Sequence, residues 1–104
     1  MTPELRQEQD DAIASNNVLL IYYFAKGIKD ADINLLQDAL IKTNDACYIY
    51  YFAMKIKGAD TELLGEAIRK TNDAYYIKMY HKYIPISDSL KKKLEMQLTL
   101  AILK

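Results

Sequence analysis

The chain has 104 residues, enough for one domain with a modest core, and its apolar fraction of 51% is at the upper end for a soluble globular protein. Fourteen basic residues offset fourteen acidic ones, so no overall field draws the molecule onto nucleic acid or an anionic membrane. A lone cysteine, Cys47, excludes an intrachain disulfide; with a polar, acidic start and no apolar run near the ~20 residues of a spanning helix, the expectation is a cytoplasmic protein with no membrane partner.

Residues 1–15 open with Pro3 and a series of acids, and their apolar points are only Leu5, Ala12, Ile13 and Ala14. That pattern predicts a polar helix capping one end of an array. Ser15-Asn16-Asn17 then supplies capping chemistry for the next helix.

From Ile21 the chain repeats itself. IYYFAKGIKDADINLLQDALIKTNDACY (21–48) is copied without a gap as IYYFAMKIKGADTELLGEAIRKTNDAYY (49–76), with eighteen of 28 positions identical. Each copy divides into two amphipathic helices of about twelve to fourteen residues with a period near 3.6. The first carries Val18, Ile21, Phe24, Ala25 and Ile28, recurring as Ala46, Ile49, Phe52, Ala53 and Ile56. A partial third copy gives Ala74, Ile77, Tyr80, His81 and Ile84. The second helix carries Leu36, Ala39, Leu40 and Thr43, repeated as Leu64, Ala67, Ile68 and Thr71.

Asp32 and Asp60 stand at N-cap positions, Thr-Asn-Asp at 43–45 and 71–73 does the same for the alternate helices, and Lys29, Lys57, Lys42 and Lys70 complement the preceding C-terminal ends. Gly58 precedes the cap in one copy, where Asp30 stands in the other. Joints of about two or three residues fold neighbouring helices back as antiparallel pairs. Pro85 ends the pattern, because it removes a donor and disfavours helix at Ile84. Ser87 or Asp88 can cap a last helix, although alternation of Leu94, Met96, Leu98, Leu100 and Ile102 leaves a strand as a second reading.

The fold expectation is one all-α domain over 1–104: a short α-solenoid of antiparallel helical hairpins with about seven helices. Its parts are a capping helix at 1–15, repeats over 16–84 and a C-terminal helix over 87–104. The pattern I-x-x-F-A-x-x-I-K-x-A-D-x-x-x-L-L-x-x-A resembles the two-helix repeats of HEAT-like and leucine-rich-repeat-variant α-solenoids. The YIYYFA helices and IKGAD turns are similar to repeats of bacterial and phage proteins that share no activity. The resemblance implies a binding surface and carries no catalytic residue across.

The residues offer little chemistry of their own. His81 and Cys47 are 34 residues apart at different repeat positions, the recurring aspartates are explained as caps, and the three glycines form no phosphate loop. The expectation is a protein that is not an enzyme and needs neither metal nor cofactor.

The nine tyrosines stand out. Tyr48, Tyr76 and Tyr51 flank the apolar stripe and are expected to stack between repeats. Tyr22 and Tyr50 lie further round, aligned with Lys78. With Lys26, Met54 and Lys82 one turn on, and Lys29 and Lys57 beyond, they form a Tyr, Met and Lys ridge, the candidate partner-binding site. Such a ridge suits a protein with an acidic, partly apolar surface. The functional expectation is therefore a protein–protein interaction module, of a size that fits a small inhibitor of a larger enzyme complex, such as a phage protein acting against a host defence system. The alternative is a nucleic-acid-binding helical repeat, with bases stacked on the tyrosines.

In the last helix Met96, Leu100 and Leu103 form a second apolar strip at i, i+4 and i+7, a candidate oligomerisation site for a homodimer. Residues 1–45 hold four basic and eight acidic side chains, and residues 46–104 hold ten and six, so head-to-tail contact is the other way two copies can meet.

Overall fold

The computed structural model describes residues 1–103; Lys104, the last residue of the expected helix 87–104, lies outside them. Among the described residues there are seven helices and no strand: α1 Pro3–Ser15, α2 Val18–Gly27, α3 Ile33–Lys42, α4 Ala46–Lys55, α5 Thr61–Thr71, α6 Ala74–Tyr83 and α7 Asp88–Leu103. They form a short α-solenoid. α2, α4 and α6 pack side by side in one layer, α1 lies on α3 and α5 on α7 in the other, and each helix packs on its neighbours in the chain. The array measures 51 × 22 × 15 Å, with α1 at one end and α7 at the other. The period-two pattern in α7 gives way to helix because Leu90 and Leu94, with Leu98 half-buried, meet the core at i, i+4 and i+8.

One kind of joint is a short polar turn that satisfies helix ends on both sides. The Thr43 hydroxyl donates to the Leu40 carbonyl at 2.6 Å and accepts from the Asp45 N–H at 3.3 Å. Asn44 takes φ 58°, and Asp45 Oδ1 accepts the Tyr48 N–H at 3.0 Å. Thr71-Asn72-Asp73 and Ser15-Asn16-Asn17 repeat the arrangement, with φ 59° and 55° at their central asparagines. Asparagine suits this left-handed position because its short side chain tolerates it. α1 thus ends as α3 and α5 do, as the second helix of a degenerate repeat.

The other joint is longer than the sequence suggests. Residues 28–32 and 56–60 connect the helices, and the repeat helices shorten to ten or eleven residues instead of twelve to fourteen. Their stop signal is an isoleucine. Ile28, Ile56 and Ile84 are extended, with φ of −102°, −94° and −101°, while their N–H groups still bond back to residues 24, 52 and 80. Gly58 supplies φ 89°, as the third residue of a type II turn requires, whereas the matching turn closes on an Ala31 N–H to Ile28 bond without a positive φ at Asp30.

The core runs along the array as Ile21, Leu36, Leu40, Ile49, Phe52, Leu64, Ile68, Ile77, Tyr80 and Leu94. Two glutamines are buried with it. Oε1 of Gln9 accepts the N–H of Asp32, and Oε1 of Gln37 accepts that of Asp60, both at 2.8 Å, so each helix of the α1, α3 layer holds the cap of the next.

Candidate binding face

Tyr22 and Tyr50, the expected centre of the partner-binding ridge, are not on the surface: they are 6% and 5% exposed. The reason is the neighbouring helix in the same layer. The Tyr22 ring meets Tyr48 of α4 with centroids 5.5 Å apart, and Tyr50 meets Tyr76 and Tyr80 of α6 at 6.0 and 6.5 Å. Lys78, at the same repeat position, is exposed because no further helix follows α6 in that layer. The sequence held that signal, since the position is aromatic where a helix comes next and charged where none does. Lys26, Lys29, Met54, Lys57 and Lys82 are exposed, as are Met96, Leu100 and Leu103 on α7.

A different set of side chains makes the aromatic surface. Helices α2, α4 and α6 each place residues 19, 20 and 23, or their equivalents 28 and 56 further on, away from the other layer. The rows are Leu19, Cys47 and Tyr75; Leu20, Tyr48 and Tyr76; Tyr23, Tyr51 and Met79. Leu19, Leu20, Tyr23, Tyr51 and Tyr75 are exposed, the others are half-buried, and none of the nine carries a charge. Ring contacts link Tyr23, Tyr22, Tyr48, Tyr51, Tyr50, Tyr76 and Tyr75 in one chain across the three helices, so buried rings hold exposed ones. Aromatic pairs in these edge-to-face and tilted geometries are each worth about 0.5–1.5 kcal/mol beyond area burial.

Burial pushes the phenols of Tyr22, Tyr48 and Tyr50 above their ordinary ionisation range. A hydrogen bond with Cys47, then burial, does the same to Tyr76. Tyr80 takes the place of Phe52 in the last repeat. Burial raises its phenol too, and its hydroxyl donates to the Thr61 carbonyl. These side chains remain neutral across the physiological range.

Charge is divided between the layers. Segments 17–29, 45–57 and 73–84, which form the tyrosine layer, contain six lysines and only two acids, Asp45 and Asp73. Both acids are held as helix caps by the N–H groups of Tyr48 and Tyr76. Twelve of the fourteen acids lie in the other layer's segments. Five of the six lysines lie at or just past the C-terminal ends of α2, α4 and α6, and Lys78 stands in the middle of α6. Lys26 Nζ lies 5.8 Å from the Tyr22 centroid and Lys82 Nζ 5.2 Å from that of Tyr83, within cation–π range. The face can therefore offer apolar contact, phenol hydroxyls and a lysine edge together.

Protein-family models, curated proteins and solved structures were compared with this chain, and none matches. Among the described residues, no helix is long and apolar enough to cross a membrane, and no group of three or more His, Cys, Asp or Glu side chains is placed to hold a metal ion.

Proposed function

We propose that this protein is a protein-binding module that works through the tyrosine face of α2, α4 and α6. The observation that carries the proposal is three uncharged rows, partly exposed and linked by stacked rings, beside a lysine edge whose layer holds only two acids. Tyrosine is a frequent interface anchor because it offers large, stiff contact area with a polar tip, and lysines steer an oppositely charged partner. The partner that fits is a protein presenting apolar side chains within an acidic surface. In its finer form the proposal is of a cytoplasmic inhibitor that occludes a larger enzyme complex.

The test compares wild type with a Tyr23→Ser, Tyr51→Ser, Tyr75→Ser variant. All three positions are exposed, so helical circular dichroism is expected to persist while capture of a protein from the source cell is lost. Equal capture by both overturns the proposal. Capture abolished by nuclease, and falling steeply with added salt, favours the single-stranded nucleic-acid reading instead.

A further inference from the structure

We propose that the cleft between the second half of α7 and the joint of α5 with α6 binds a single-chain anionic amphiphile, of which a long-chain carboxylate is the simplest. The cleft has a volume of about 920 Å³, and its lining holds three cations, Arg69, Lys70 and Lys93, and no acid. Glu66 lies behind them, accepting from Arg69 Nε at 3.1 Å and from Lys93 Nζ at 3.2 Å, so one carboxylate holds two of the cations in place. Lys70 is exposed and makes no ion pair among the described residues. The group as a whole keeps a surplus of positive charge. Ala74, at the start of α6, lines the cleft and is exposed, whereas Ala46, its equivalent in the preceding repeat, is buried. The last repeat thus lacks cover that the one before it has.

The two ends of the cleft differ, and the difference selects the ligand. Gln97 Nε2 donates to the Arg69 carbonyl at 2.8 Å and to Asn72 Oδ1 at 2.9 Å, which sets the end of α5 beside the middle of α7. The cations therefore gather at the level of residues 93–97, while residues 98–103 carry no charge. Met96, Leu100 and Leu103 line the cleft from α7 and are 67%, 55% and 77% exposed. An anionic head at the cationic end gains charge-assisted hydrogen bonds, and an alkyl tail laid along α7 covers the apolar strip. From Lys93 to Leu103 the helix rises ~15 Å, about the length of an extended twelve-carbon chain. An apolar cleft with a few polar groups that fix one end of the ligand is the usual form of a small-molecule site. An extended peptide suits it less, because its backbone needs polar partners and the two amides of the lining, Asn72 and Gln97, are already bonded to each other.

The cleft lies outside the tyrosine rows, so its test is independent of the protein-binding reading. Equilibrium dialysis against laurate, a twelve-carbon carboxylate, at about 1–300 µM is expected to show saturable binding of one molecule per chain. Dodecyltrimethylammonium, which has the same tail and the opposite charge, and hexanoate, which has the same head and half the tail, are expected to bind at least about tenfold more weakly. Lys70→Glu and, separately, Leu100→Ser should each weaken laurate binding by a similar factor with unchanged helical circular dichroism, because both positions are exposed. Absence of saturable laurate binding overturns the proposal. Equal binding of the three probes overturns it as unspecific apolar contact, and laurate binding that either substitution leaves unchanged overturns it by placing the site elsewhere. Co-sedimentation with vesicles of anionic phospholipid, without binding of laurate, overturns it in favour of contact with a membrane surface.

Discussion

Gly65 and Leu90 touch where no larger residue fits: a Cβ on Gly65 would lie 2.5 Å from Leu90 Cδ2 and 3.2 Å from Tyr80 Cε1. Gly65 occupies the repeat position held by Gln9 and Gln37. In the two earlier units that position carries an amide that holds the next cap; in the last it is vacated so that α7 can close against α5 and α6. The cap of α7 is then served from elsewhere, with Glu62 Oε2 accepting the Ser87 N–H at 2.9 Å and Ser87 Oγ accepting that of Leu90 at 3.2 Å.

Gly65→Ala gains about 1 kcal/mol of helix propensity, but overpacking a buried contact costs about 1–3 kcal/mol, so net destabilisation is expected. Leu90→Ala alone removes a buried side chain and should cost about 2–5 kcal/mol. In the double variant the new methyl enters the space left by Leu90, so its loss is smaller than the sum of the two. Urea denaturation of the four proteins checks this, and strict additivity would mean that the two residues do not share the space.

Gln37→Ala leaves the Asp60 N–H without its acceptor and should destabilise by about 1–3 kcal/mol. Gln9→Ala is expected to cost less, because Nε2 of Gln9 is buried without a partner and its removal relieves that penalty. Thermal melts order the two variants, and an equal or larger loss at Gln9 would contradict the account.

Alkaline pH should unfold the protein through its tyrosines. The folded-state phenols of Tyr22, Tyr48, Tyr50, Tyr76 and Tyr80 are raised above their unfolded value. Their contribution is therefore fully present below a pH of about 10, the ordinary tyrosine range, and is lost as pH rises through the folded values. Tyrosinate absorbance of this set is expected to appear only above that range and together with loss of helical circular dichroism. A single early stage with the helices intact would refute it.

At acid pH a smaller contact, within one layer, is lost. Partial burial pushes the Glu66 carboxyl up, but hydrogen bonds from Lys93 and Arg69 outweigh it and hold it below its ordinary value. Its link between α5 and α7 is present above the unfolded carboxylate range and is lost as pH falls through the depressed folded value. Both partners are solvent-accessible, so Glu66→Gln should cost under about 1 kcal/mol at neutral pH in a urea titration. A loss of several kcal/mol would show that the link is insulated from water.

The sequence by itself determined the repeat, the helical period, the aspartate caps and the Asn turns, because all of these rest on interactions within a few residues of the chain. Phe52, Ile49 and Leu64 could be read as core from the same periodicity, and they are buried. Only the tertiary structure decided which tyrosines face solvent. Tyr22 and Tyr23 are neighbours, separated by about 100° around the helix, which sets them about 100° and about 160° from Ile21. What buries the first is Tyr48, on a helix one repeat away, and what leaves the second exposed is that nothing packs over it. Burial at the edge of a stripe depends on how the next helix lies, which is set by packing between repeats and shows in the sequence only when the repeats are compared, as Tyr22, Tyr50 and Lys78 at one position do.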